Sequence, residues 1–180
     1  MDKYNIEELD KRIKSMLSEK RYKHSLNVAK LAKELASYHF VDEQKAYVAG
    51  LLHDITKEFD ESWQDECLIK HDDTVKLSAP RKIKHSYTAK YYLQDELNID
   101  DEDILDAVYN HTICMSDKKL SKIIYIADKR EEGRKLDSKA VELAKRDLDE
   151  GYKEVFNDVS KYLELKKYVE KTNNNGNNPF

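Results

Sequence analysis

Asp42-Glu43-Gln44-Lys45-Ala46-Tyr47-Val48-Ala49-Gly50-Leu51-Leu52-His53-Asp54 is the stretch that decides the fold of this chain. Asp42 is a helix N-cap, because a short carboxylate accepts from the unpaired N–H groups that open a helix. Ala46, Ala49, Gly50 and His53 then recur at helical spacing, so the buried face of this helix carries a histidine, with Asp54 beside it.

The same periodicity extends in both directions. Ile6, Leu9, Ile13, Met16 and Leu17 mark a first helix, and Val28, Leu31, Ala32 and Leu35 a second from about Tyr22 to His39. Beyond Asp54, a short polar helix holds Trp63, Cys67 and Leu68. Ser78-Ala79-Pro80 breaks the chain before a helix through His85, Ala89, Tyr92 and Leu93. Asp100 or Asp101 caps a helix through Ile104, Ala107, Val108 and His111. Leu120 to Lys129 is a further helix, and the amphipathic run from Ser138 to Val169 breaks near Gly151. Composition agrees. The 180 residues include 4 Gly and 2 Pro, against ~12 and ~9 from average usage, too few for the tight turns of a sheet protein. The fold class is all-α, a single helical domain over residues 1–170 with a flexible Asn-rich tail at 171–180.

Several function classes fall away on composition. A formal charge of -4 gives no general attraction to nucleic acid. No apolar run reaches the ~20 residues that span a bilayer. The acidic N-terminus has no signal-peptide core, and Cys67 and Cys114 make neither a disulfide framework nor a CxxC pair. The expectation is a soluble, cytoplasmic, reduced protein without nucleic-acid or membrane partners; a homodimer is left open.

The histidines carry the chemistry. His24 precedes Val28, Leu31 and Leu35 at steps of four, three and four, so it faces inward. His53 follows Ala46, Ala49 and Gly50; His85 precedes Thr88, Ala89 and Tyr92; His111 follows Ile104, Ala107 and Val108. Asp128 lies among Leu120, Ile124 and Ala127. One buried histidine is readily satisfied by a single hydrogen bond. Five helices that each turn a polar group inward are costly, because a buried carboxylate such as Asp54 or Asp128 needs a counter-charge. A divalent cation supplies it, and imidazole is its commonest nitrogen donor. His39 lies at a helix end. His71-Asp72-Asp73 repeats a His-Asp pair in a polar segment without an apolar stripe and is read as a decoy. Cys114 is a small buried or loop thiol rather than a ligand.

His24, then His53-Asp54, then Asp128 resembles the H…HD…D pattern of HD-domain metallohydrolases. With His85 and His111 in between, it is similar to the six-ligand, two-metal version. The stretches Arg21 to Ala29, Ala49 to Lys57, Ile104 to Thr112 and Lys122 to Asp128 extend the resemblance to the YqeK-type subfamily, the symmetrical diadenosine tetraphosphate hydrolases of bacteria. It covers roughly residues 5–160. Two stretches depart from the pattern. The loop 113–118 stands where the family tends to carry a Gly-rich loop, and Glu132-Gly133 replaces a Pro-Asn or Pro-Gly pair.

The resemblance implies an HD-domain bundle with a dinuclear centre in its core, holding two transition-metal ions, most readily iron, with manganese as the other choice. His24, His53, Asp54 and Asp128 hold one ion; Asp54 bridges, and His85 and His111 complete the second. The implied reaction splits diadenosine tetraphosphate into two ADP through a metal-bridging hydroxide. Lys57, three residues after Asp54, is expected on the same helical rim, over the phosphates. Arg21, one turn from His24, and Arg134 are expected to bind substrate. Thr112 is expected to donate to phosphate or to cap a helix end, and Glu131 to stand beside the site as a substrate contact or to orient a ligand or a lysine. Three other readings use the same scaffold: a di-iron oxygenase, a phosphohydrolase of another nucleotide, and a non-catalytic nucleotide sensor. Lys57 favours hydrolysis.

Overall fold

Short polar side chains cap the starts of several helices in this chain. Asn5 accepts from the Glu8 amide at 3.2 Å, and Ser18 from the Arg21 amide at 3.4 Å. Asp42 accepts from Gln44 and Lys45, and Asp101 from Asp103 and Ile104. Each bond satisfies an amide that the helix itself leaves unpaired. The computed structural model describes residues 4–136 and 138–160. Its helices are α1 (Ile6–Met16), α2 (Glu19–Tyr38), α3 (Glu43–Leu52), α4 (Glu61–Lys70) and α5 (Arg81–Leu97). They continue with α6 (Glu102–Asn110), α7 (Lys119–Arg130), α8 (Lys139–Arg146) and α9 (Leu148–Ser160), with 3-10 turns at Thr74–Lys76 and Glu132–Arg134. No strand occurs among the described residues, so the chain is all-α.

Helix α3 lies at the centre. Val48, Ala49, Gly50, Leu51 and Leu52 are all buried, the all-round apolar character of a helix enclosed by others. It packs on α2, α6 and α7. The approach to α2 is close: a Cβ on Gly50 would lie 2.7 Å from the Ala29 Cα. Only glycine leaves room for that backbone contact, which brings His24 on α2 and His53 after α3 together.

Four boundaries differ from the sequence-based expectation. Helix α2 begins at Glu19 rather than Tyr22, because Ser18 caps it. His53 and His111 are the C-caps of α3 and α6, still in αR conformation but past the last helical residue. The helix that was to carry Lys57 therefore ends at Leu52, and residues 53–58 run as tight turns, with Lys57 N–H donating to the Asp54 carbonyl at 2.9 Å. The long C-terminal run breaks at Asp147, not Gly151. Asp147 caps α9 through the amides of Asp149 and Glu150. Gly151 instead sits inside α9, where an added Cβ would meet the Ala144 Cα at 2.5 Å. The Asn-rich tail at 171–180 and the stretch 161–169 lie outside the described residues. No helix among the described residues is long and apolar enough to cross a membrane.

Candidate metal centre

Three imidazoles in the core are held by their Nδ1 atoms. His53 Nδ1 lies 2.7 Å from the Gly50 carbonyl, and His111 Nδ1 2.6 Å from the Val108 carbonyl. Because carbonyls only accept, both rings carry their proton on Nδ1. In each case the carbonyl belongs to the residue three before, at the end of α3 or α6. The C-cap position thus fixes the tautomer as well as the direction of the ring. His24 Nδ1 lies 3.0 Å from Glu131 Oε1, a carboxylate that also accepts from Asn27 Nδ2 and the Gly133 amide. Each of the three is left with Nε2 toward the centre. This is how ligating histidines are oriented in metal sites.

The inward atoms form two groups, divided by Asp54. Its Oδ2 stands 3.8 Å from His24 Nε2 and 3.5 Å from His53 Nε2. Asp128 Oδ1 closes that group, 3.1 Å from His24 and 3.7 Å from His53. Asp54 Oδ1 faces the other way, 2.9 Å from His85 Nε2 and 3.5 Å from His111 Nε2, which are 3.1 Å from each other. Donors bonded at 2.0–2.2 Å to one ion stand roughly 3.0–3.5 Å apart at tetrahedral or octahedral angles. These spacings match, with a few tenths of an ångström to close. His53 Nε2 supplies a second indication: it is fully buried with no hydrogen-bond partner. An orphaned nitrogen between two carboxylates fits a cation. The ligand atoms of His24, His53 and Asp128 lie within 4.8 Å of one another, as do those of His53, Asp54 and His111, so that His53 belongs to both sets.

The electrostatics follow from burial and crowding. Burial pushes His111 down to about 3, reinforced by His53 and His85. Burial also lowers His85, with Lys57 adding to it, so both rings stay neutral and able to donate a lone pair. Burial alone would lower His53 too, but Asp54 and Asp128 overcome it and raise that ring. Burial opposes charge on Asp54 and Asp128, yet the imidazoles, and Lys129 at Asp128, hold both carboxyls well below the usual range.

Cations ring the carboxylates. Arg21 pairs with Asp54 Oδ2 at 2.8 Å, and Arg134 with Asp128 Oδ1 at 3.0 Å. Both line an open cavity of about 700 Å³ that reaches His24 and includes Lys20 and Lys23. Lys57 lies 3.2 Å from both ring nitrogens of His85, on the other side of Asp54. Its nearness comes from the turn after α3, not from a helical rim. Burial lowers its pKa, opposed by Asp54 and Asp128. Thr112 Oγ1 is buried next to His111 without a partner. Glu131 is buried at the wall of the cavity and engaged with His24, Asn27 and Gly133, so its carboxylate orients the His24 ring. His39 binds the Ala144 carbonyl, and His71 stacks on Tyr91 beside Asp95, both outside the cluster. Cys114 points its thiol at the Ser116 carbonyl.

Sequence reasoning missed Asn27, Lys129 and Glu58. Asn27 is three residues after His24, so helical spacing could have found it. Lys129 pairs with Asp128 at 2.6 Å, but adjacent helical positions point apart, and spacing gave no signal. Glu58 accepts from the Ser18 amide and hydroxyl, both at 2.7 Å, and ties the turn after Asp54 to the start of α2.

The geometry has counterparts. Residues 21–133 match the family model of the HD domain. A Staphylococcus aureus protein named "Bis(5'-nucleosyl)-tetraphosphatase, symmetrical" is 35% identical over 133 residues, 72% of this chain and 68% of that protein. A Mycoplasma genitalium protein named "Probable nicotinate-nucleotide adenylyltransferase/Ap4A hydrolase" is 34% identical over 151 residues, 78% of this chain. This chain spans 42% of that relative's length. The crystal structure of a predicted HD superfamily hydrolase involved in NAD metabolism from Clostridium acetobutylicum superposes with a TM-score of 0.79. It is 30% identical, and the match covers 91% of this chain and 89% of that one.

Proposed function

Because this chain belongs to the HD domain family, we propose that it is a metal-dependent phosphohydrolase that cleaves diadenosine tetraphosphate symmetrically into two ADP. The relatives' names support the substrate. One observation carries the chemistry: Asp54 is buried and gives one oxygen to each of two imidazole groups, the arrangement expected of a carboxylate shared between two ions.

In this reading His24, His53, Asp54 and Asp128 hold one ion, and Asp54, His85 and His111 the other; iron is the first choice and manganese the second. Bound ions would supply Lewis acidity toward phosphoryl oxygens and a nucleophile at neutral pH. The chain's own residues do the rest. Glu131 and the carbonyls of Gly50 and Val108 keep the protons of His24, His53 and His111 on Nδ1, so that no ring has to turn during turnover. Arg21, Arg134, Lys20 and Lys23 outnumber Glu19 and Glu131 in the cavity lining and leave it the net positive charge that a polyphosphate needs on binding. Lys57 sits on the His85 side, where a developing phosphoryl charge would meet an ammonium already in position. Thr112 Oγ1 offers a donor not otherwise used.

The test is a nucleotide panel with identified products, run on metal-loaded and chelated protein. Two ADP from diadenosine tetraphosphate, lost in chelator, is the expected result. ATP plus AMP would put attack at the wrong phosphorus and defeat the assignment. Turnover confined to a nicotinamide dinucleotide or a nucleoside monophosphate would keep the hydrolase and replace its substrate. Dioxygen uptake without hydrolysis would point to an oxygenase.

A further inference from the structure

Lys129 stands in the last turn of α7, one residue after Asp128, and lies outside the lining of the basic cavity. Its ammonium turns back into the protein. It donates to Asp128 Oδ2 at 2.6 Å and to the His111 carbonyl at 2.8 Å, and lies 4.5 Å over the centre of the Tyr125 ring. The side chain is 14% exposed. An exposed ion pair contributes about 0–1 kcal/mol and leaves its partners free to rotate. A shielded ammonium with two acceptors and an aromatic face has one geometry, and it imposes that geometry on its acceptors.

The consequence lies in which carboxylate oxygen is left over. Lys129 occupies Asp128 Oδ2, so that only Oδ1 faces His24 and His53. The second acceptor is the backbone of His111, whose ring stands in the other donor group. One side chain therefore touches both halves of the cluster and joins α7 to the end of α6. We infer that Lys129 is a positioning residue that makes Asp128 a one-oxygen donor and holds the two donor groups at their working separation. The inference rests on the two-ion reading above. Without the ammonium, Asp128 can rotate and offer both oxygens to one ion, or turn away, and the α6 terminus loses a tie to α7.

Mn²⁺ is the probe, titrated by calorimetry into the chelator-stripped full chain and followed by electron paramagnetic resonance. The parent should take two ions per chain and give an exchange-coupled spectrum. Lys129→Met keeps the apolar stem over Tyr125 and removes the charge and the donors. It should weaken Mn²⁺ binding about 10–100-fold and replace the coupled spectrum with that of isolated ions. Lys129→Arg should restore part of both. Should Lys129→Met fail to fold by circular dichroism, Lys129→Gln serves in its place under the same expectation. Parental affinity and coupling in the variant, with only a lower melting temperature, would make Lys129 a merely structural cation and overturn the inference. A parent that never takes two ions would instead fail the two-ion reading itself, and this inference with it.

Discussion

At the scale of single residues, position relative to Asp54 separates the roles of the cations. Arg21 is paired with a carboxylate oxygen, whereas Lys57 rests against the His85 ring and the Lys82 carbonyl, with no carboxylate ion pair among the described residues. An ammonium without such a partner is free to meet charge that appears during reaction. Lys57→Ala should therefore lower kcat by about 10²–10³ with metal content intact, and Lys57→Arg should recover part of it. A loss confined to KM would mean that Lys57 binds ground and transition states alike. Parental kcat and KM together would return Lys57 to the status of a partly buried structural lysine. Steady-state kinetics with metal analysis on the same preparations decides among these.

At the scale of elements, the contact of α2 with α3 brings the first two histidines together. Their ring centroids lie 5.2 Å apart, although the residues are 29 positions apart in sequence. Gly50 permits this, because only a residue without a side chain leaves the two backbones room to approach. In Gly50→Ala the new Cβ would lie 2.7 Å from Ala29 Cα and 2.9 Å from its nitrogen. Backbone cannot swing aside as a side-chain tip can, so the helices must part. The expected cost is about 1–3 kcal/mol of stability, together with weaker metal retention, because His53 hangs three residues beyond Gly50. Urea denaturation and metal content measure the two effects. An unchanged midpoint would show that α2 and α3 separate more easily than their packing implies.

At the scale of the whole molecule, the proposed donors come from α2, the turns after α3, α5, the end of α6 and α7. Ions held there would tie five parts of the chain, and ligand binding to the folded state alone adds RT ln(1 + [L]/Kd), about 2.7 kcal/mol at a hundredfold excess over Kd. Chelation should therefore lower the melting temperature by several degrees. The chelated protein should also weaken as pH falls from 7.5 to 5.5. His111, held at about 3, and His85, also lowered, bind protons more readily unfolded than folded. Their contribution is present above the ordinary histidine pKa near 6.5 and is lost as pH drops below it. His53 is raised and acts in the opposite sense, but it is one ring against two. Melting curves in chelator at both pH values test this; a higher midpoint at pH 5.5 would mean that the cluster takes up protons on folding.

Much of this was legible in the chain alone. Apolar spacing and scarce glycine and proline gave an all-α fold, because periodicity reports directly which face of a helix is buried. The inward histidines and Asp128 followed from the same rule, as did Asp42 and the Asp101 alternative as caps. Spacing could not see where helices stop. His53 and His111 fall just beyond their helix ends, where a carbonyl three residues back locks each ring, and Lys57 reaches the site through a turn. Nor could it divide the two oxygens of Asp54, or link Lys129 to the His111 carbonyl 18 positions away. Sequence periodicity is a property of one helix at a time. The separation of donor atoms, their tautomers and the cations that flank them depend on how five segments pack against one another, and only the tertiary structure decides that.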